Sequence, residues 1–427
     1  MTPTIKIVRC LVRLFGLFSA VMIAADARAA AISVSSFEGL QTAVATASPG
    51  DTILMQDGLY QMAGTWSVAV RTRDLTVRGA SGNREAVVLR GMGMNAADHN
   101  GLWISAGNVT IQDMTIEQVR NHCIQTDIDV DGLVVRNCIL RDAGEQILKV
   151  PVGSDPGNHS ENGLVEGCLF EYSAGVGPRS YMGGIDVHRG LNWIVRDTVF
   201  RHIRSPGPTL AEHAIHFWND SRGTLVERNL IITCDRGIGF GLGSSTHGGG
   251  IIRNNMIYHD GTPGFNDGGI LLESAWDAVV ANNTIFLLSD YPNAIEYRFA
   301  ATTNVLIANN LANRAILRRD GASATLATNV TQAFADWFVD AAAGDLHLAS
   351  NISQAIDQGT IIPQVEDDFD KQARAVSGHC DVGADEFFPC VSDLDEDGDI
   401  DGSDLKLYSQ EIIPECLQSF SAEFGKQ

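Results

Sequence analysis

The chain has 427 residues, 52 acidic against 30 basic side chains, and a formal net charge of −22. That charge disfavours nucleic acid as a partner and gives no long-range pull on an acidic polymer, so any such polymer must meet a local basic patch or a bound cation. The length allows either several ordinary domains or one elongated repeat structure.

The N-terminus carries Lys6, Arg9 and Arg13, then the apolar run LFGLFSAVMIAA and the small-residue ending ARA at Ala29. That is the plan of a secretory signal peptide, which sets residues 1–29 outside the fold and predicts an extracellular or periplasmic protein. No later run is long enough to span a membrane. Of the eight Cys, Cys10 leaves with the signal and an odd number stays behind, so at least one thiol is unpaired within the chain.

In SSFEGLQTAVATASPGDTILMQDGLY the FEGLQTAVATA stretch has helical spacing, and PGD then opens the first strand. From there a repeat governs the chain. VVRNC, VEGC, VRDT, VERN, IRNN, VANN and IANN recur every 26 to 31 residues, marked by Asn137, Gly167, Asp197, Arg228, Asn254, Asn282 and Asn309. Between them lies a second strand class: CIQTD, ILKVP, GIDVH, AIHFW, GIGFG, GILLE and AIEYR. Short strands at this period cannot each bury a core, but stacked as rungs of a solenoid they can. A propeller blade would need a longer period, roughly 40 to 50 residues. The expected architecture is therefore all-β, a right-handed parallel β-helix over residues 30–330. It resembles the secreted pectate-lyase-like superfamily of β-helix proteins.

Stacking aligns the Asn-rich corners, whose amides should satisfy one another. It also puts Cys138 and Cys168 on adjacent coils, where a disulfide is sterically open and the unpaired form is favoured. In the second strand class the residue between two apolar neighbours points outward. Gln125, Lys149, Asp186 and His216 then form one exposed file, ending at Gly239, with Asp127, His188 and Trp218 at the next outward position. A one-residue slip of QILKV would turn Lys149 inward, which its charge opposes. Long insertions beside these rungs should wall a cleft and bring in Glu212, Arg236 and His247.

Trp218 beside polar groups suits a sugar ring. For β-elimination in a uronic-acid polysaccharide, Lys149 would neutralise the sugar carboxylate, His216 would take the adjacent proton, and Asp186 would orient His216. His188 or Tyr181 would protonate the leaving oxygen. The catalytic candidates are thus Lys149, Asp186, His188 and His216, with Gln125, Asp127, Trp218, Glu212 and Arg236 binding substrate. This resembles the site logic of β-helix polysaccharide lyases. Three other readings stay open: a glycoside hydrolase using Asp186 with Glu212 or Asp235, a uronate epimerase, and a non-catalytic carbohydrate-binding or adhesive protein.

After residue 330 the repeat fades. Residues 331–389, ending in HCDVGADEFF, resemble the closing segment of many secreted bacterial β-helix proteins and should cap the last coil. Residues 390–427 contain DLDEDGDIDGSD, with acids at Asp393, Asp395, Asp397, Asp401 and Asp404, the carbonyl of Asp399, and Gly398 at the sixth position. That spacing fits a calcium loop. The aspartate at position 12 resembles dockerin modules rather than sensor EF-hands, although only one loop is present. The resemblance implies a cohesin-like or cell-surface partner, which the single loop weakens. Cys390 and Cys416 bracket this module as its expected disulfide. Calcium is the expected cofactor of the loop, a groove-bound calcium stays open, and the expected assembly is a monomer.

Overall fold

The computed structural model describes residues 29–64, 67–349, 352–374, 379–387 and Lys406. The predicted signal peptide up to residue 28, the calcium loop from Asp393 to Asp404, and Cys390 and Cys416 lie outside these residues. Among those described, no helix is long and apolar enough to cross a membrane.

The chain winds as a right-handed parallel β-helix whose coils donate one strand to each of three long parallel sheets, of twelve, ten and ten strands. The register explains the core. In the first sheet Ile111, Val135, Val165, Val195, Val226, Ile252, Val280 and Ile307 occupy the same rung position. All are fully buried, so β-branched side chains stack into one column. In the third sheet Phe170 and Phe200 stack across neighbouring coils with ring centroids 5.0 Å apart. Each such side chain contributes about 1.5–3 kcal/mol by leaving water.

At the N-terminus helix α1 (Phe37–Thr46) buries Phe37, Leu40, Ala43 and Val44, and the Ser36 side chain accepts from the Gly39 N–H as its cap. The first strand is Ala31–Val34, ahead of the helix, and it pairs with Thr52–Met55. The sequence pattern placed the first strand after PGD; four residues are too few for alternation to register.

The repeat marker proves to be two columns with different jobs. Asn137, Gly167, Asp197, Arg228, Asn254, Asn282 and Asn309 all have φ between 47° and 63°. The chain turns its corner there in the left-handed region, which Asn and Gly tolerate best. The next residue points inward. Asn229 Nδ2 donates to Asn255 Oδ1 at 3.0 Å, Asn255 to Asn283 at 2.9 Å, Asn283 to Asn310 at 2.9 Å, and Asn310 to Asn329 at 2.8 Å. Asn329 extends the ladder beyond the last repeat marked in the sequence. Lower in the stack Cys138 and Cys168 hold the same inward position; both are unpaired, as are the buried Cys123, Cys234 and Cys380.

The closing segment lies along the flank of the coils rather than simply over their end. An antiparallel hairpin in it, Phe338–Asp340 with Asp345–Leu348, packs on Tyr258, Phe286 and Leu311. The left-handed corners then grip it. Arg228 pairs with Asp367 at 2.7 Å, and Asn254, Asn282 and Asn309 donate to the carbonyls of Asp367, Asp381 and Thr360.

Candidate functional site

The second sheet carries the predicted file in the predicted register. Ala69, Trp103, Gln125, Lys149, Asp186, His216, Gly239, Leu271 and Glu296 are successive partners on its outer face. Lys149 points outward, opposite Asp186. The file is not open to solvent, however. Asp186 and His216 are 2% and 1% exposed, because the loop formed by residues 202–213 and the indole of Trp218 cover them.

Asp186 is the hub. One carboxylate oxygen pairs with Lys149 Nζ and the other accepts from Trp218 Nε1 at 2.7 Å. Lys149 Nζ also contacts His188 Nε2 at 2.9 Å, and His188 Nδ1 lies 3.4 Å from Asn219 Nδ2. Burial alone would raise the Asp186 pKa, but His188, Lys149 and His216 outweigh it and hold the carboxyl below the usual range. Lys149 and His188 keep 12% and 11% of their side chains exposed, at the open edge of the cluster.

Several predicted roles change on this geometry. His216 was expected to take a proton from substrate, yet it is buried beneath Trp218, and its Nδ1 stands 4.0 Å from Asp186, beyond hydrogen-bond reach. The nearer carboxylate is Glu212, at 3.5 Å. Trp218 was expected to offer a face to a sugar; its ring instead meets His216, parallel at 5.3 Å, and His188 at 4.4 Å, while its N–H is committed to Asp186. His247 was expected in the groove and is instead inside the coil, stacked on Phe240 at 3.8 Å and bonded to Thr224, with burial pushing its pKa down to about 3.

Asp235, a hydrolase candidate, is buried and accepts the N–H groups of Ser205 and Ala211, so it fastens the 202–213 loop. Glu212 stays 25% exposed beside His213 and His216. Burial would raise its pKa, but the two imidazoles reverse the effect and depress it. Arg236 stands 4.0 Å from Glu212 and 3.6 Å from Asp267. Gln125 accepts from Asn100 at 3.0 Å. Asp127 lies further along the same face, its carboxylate accepting the N–H of Ile128. Tyr181 is 55% exposed.

Trp103, Asn100, His122 and His213 were missed. Trp103 is the rung below Gln125 and 36% exposed; a cleft of about 370 Å³ opens over it, lined by Arg71, Asp98, His99, Asn100 and Asn121. LWISAG lacks the polar residue that marked the other rungs, but extending the register by one coil would have found Trp103. His122 bonds the Gln146 carbonyl at 2.6 Å, and its pKa is pushed down to about 4 by burial, with Lys149 adding to the effect. His213 precedes the strand, where alternation is silent. Its ring fills the space above Gly239, where a Cβ would come within 2.6 Å of Nε2.

A calcium ion in the groove does not fit these residues. Calcium takes six to eight oxygen ligands. Asp186 is already paired with Lys149, and the nearest convergent donors are two imidazoles with one carboxylate.

No protein-family model and no curated protein sequence matches the chain. Among solved structures it is similar to pectate lyase Pel9A, with TM-score 0.58 and 14% identity over 84% of this chain and 97% of that one. It also matches an alginate lyase from Paenibacillus sp. str. FPU-7, with TM-score 0.42 and 15% identity over 61% and 94% of the two chains. The likeness to Pel9A is one of fold.

Proposed function

We propose that the protein is an exported polysaccharide lyase that cleaves a uronic-acid polymer by β-elimination at Lys149 and His188. The observation that carries this reading is Lys149 Nζ held between the Asp186 carboxylate and His188 Nε2, at the partly exposed edge of the covered Asp186–His216 stretch. The fold shared with the pectate lyase Pel9A supports it. The polymer would run along the outer face of the second sheet, one sugar stacking on Trp103 and its hydroxyls meeting Asn100 and Gln125.

Lys149 supplies the cation for the sugar carboxylate. When one Lys149 N–H turns from His188 Nε2 to that carboxylate, the imidazole lone pair is freed beside the substrate. His188 then takes the proton alpha to the carboxylate, the electron pair forms the C4–C5 double bond, and the C4–O bond breaks. The leaving oxygen takes its proton from the imidazolium. Asp186 keeps Lys149 in place, and Trp218 keeps Asp186 in place.

The test is incubation with pectate, alginate and glycosaminoglycan panels, following the ultraviolet absorbance of unsaturated ends. Such product from wild type and its loss in Lys149→Ala and His188→Ala is the expected result. Reducing ends without unsaturation would make the protein a hydrolase, altered uronate configuration without cleavage an epimerase, and binding alone a carbohydrate-binding protein. The loop at 393–404 is proposed to hold calcium separately from this site, through Asp393, Asp395, Asp397, Asp399, Asp401 and Asp404.

A further inference from the structure

We propose that Glu212, His213 and His216 form a binding site for one divalent transition-metal ion of the zinc class, behind Trp218 and apart from the Lys149–His188 pair. The site goes beyond the lyase reading and does not depend on it.

The spacing suits a small metal. Glu212 Oε2 lies 3.5 Å from His216 Nδ1 and 3.8 Å from His213 Nδ1, and one donor atom from each of the three residues lies within 4.8 Å of the others. Ligands at zinc–nitrogen and zinc–oxygen distances of about 2.0–2.1 Å in a tetrahedron stand roughly 3.4 Å apart.

The donor atoms also lack any other use. Glu212 Oε2, both nitrogens of His213 and Nδ1 of His216 are buried without a hydrogen-bond partner. Four such atoms in one spot contrast with the general rule that buried polar groups are paired. His213 and His216 are 3% and 1% exposed, so solvent does not satisfy their rings.

The tautomer of His216 gives the direction. Its Nε2 lies 3.1 Å from the Gly241 carbonyl. A carbonyl only accepts, so Nε2 carries a hydrogen, and Nδ1, which faces Glu212 with Asp186 4.0 Å away, is the nitrogen left to bind a ligand. A metal ion at Nδ1 would be met by the Glu212 carboxylate on the side where the ring has no hydrogen-bond partner. An imidazole N–H bonded to a backbone carbonyl is also the usual support of a metal-ligating histidine. Arg236 Nη1 is the neighbouring cation on the Glu212 side, 4.0 Å off and shared with Asp267, so it leaves the space between the imidazoles free.

The surroundings hold the three residues in place. Asp235 fastens the loop that delivers Glu212 and His213, and Gly239 gives up the side-chain volume that the His213 ring occupies. Two imidazoles with one carboxylate select zinc or cobalt over calcium or magnesium.

The experiment uses the full chain, with excess calcium present to fill oxygen-ligand sites, loaded with zinc or cobalt and then dialysed. One tightly held equivalent is expected, with the intense visible bands of four-coordinate cobalt and a higher thermal midpoint for the zinc form. Glu212→Gln, nearly isosteric and partly exposed, and His213→Ala should each weaken zinc at least about 100-fold, the upper range for loss of even a supporting contact. The thermal midpoint of Glu212→Gln in chelator should match wild type in chelator, which shows that folding is intact, while that of His213→Ala should fall by the cost of the cavity its ring leaves. The proposal is overturned if folded wild type retains no zinc, or if both variants retain it undiminished, which would place the metal elsewhere. Because the readout is binding, a failed lyase assay leaves this result standing, and the reverse also holds.

Discussion

Two polar columns stack along parts of this solenoid, and they differ in what they leave exposed or unpaired. Along the inward column, Asn229, Asn255, Asn283, Asn310 and Asn329 each meet the next residue, and the backbone takes up the remaining bonds. Along the outward file of the second sheet, Lys149, Asp186 and His188 are paired among themselves while Glu212, His213 and His216 keep orphaned atoms. Both columns are stacks of polar residues at one repeat, so polarity and period do not separate structure from chemistry. The exposed edge at Lys149 and His188 and the unmet atoms at Glu212, His213 and His216 do.

The sharpest way to break that contrast is to exchange the outcomes of substitution. Lys149→Ala should lower kcat/KM for unsaturated-product formation by about 10³-fold, within the range for loss of a group that manages charge or protons in the transition state, and should also lower the thermal midpoint, because the buried Asp186 carboxylate loses its cation. Asn283→Ala should cost stability alone. It strips bonds to Ile252, Ala281 and Asn310 and removes the side-chain acceptor of the Asn255 backbone N–H, which should cost roughly 3 kcal/mol in urea unfolding with activity kept. If Asn283→Ala abolishes activity in a folded protein while Lys149→Ala only destabilises, the distinction is wrong.

Smaller effects refine it. Trp103→Ala should raise KM several-fold with kcat little changed, because stacking on a ring remote from the bond being broken is worth about 1 kcal/mol. The closing segment should answer to pH. His347 pairs with Asp345 and Asp370, and although burial opposes it, Asp370 with Asp385 and Asp345 raises its pKa to about 10. Its contribution is complete below its ordinary pKa and is lost as pH rises through 10. Asp385 is raised to about 7 by burial, so its contribution is complete below the ordinary carboxylate pKa and lost as pH rises through 7. Both act in the same direction. Amide exchange at Leu346 and Leu348, corrected for intrinsic rates, should show less protection at pH 9 than at pH 6, with the coil strands changing less.

The sequence carried the coil period, the strand registers and the outward direction of Lys149, Asp186 and His216, because period-two alternation and stacking are local rules applied many times over. It did not carry what lies on top of the file. Whether His216 is reachable depends on where the 202–213 loop settles, and Asp235 fixes that through the amides of Ser205 and Ala211, a contact no periodicity announces. Gly239 looked like a gap in the polar file; the gap is the seat of a ring from the neighbouring loop. Trp218 was identified as an unusual residue on the right face, but its partners are the site itself rather than the substrate.

The lateral strap has a mechanical consequence. A stack of coils joined only to their neighbours can fray progressively from a free end. Here Arg228, Asn254, Asn282 and Asn309, on four different coils, all hold the same returning segment. Peeling the last coil therefore loosens attachments three coils away, and the distal part of the rod should come apart in one step, like a laced boot rather than an unstacked pile of coins.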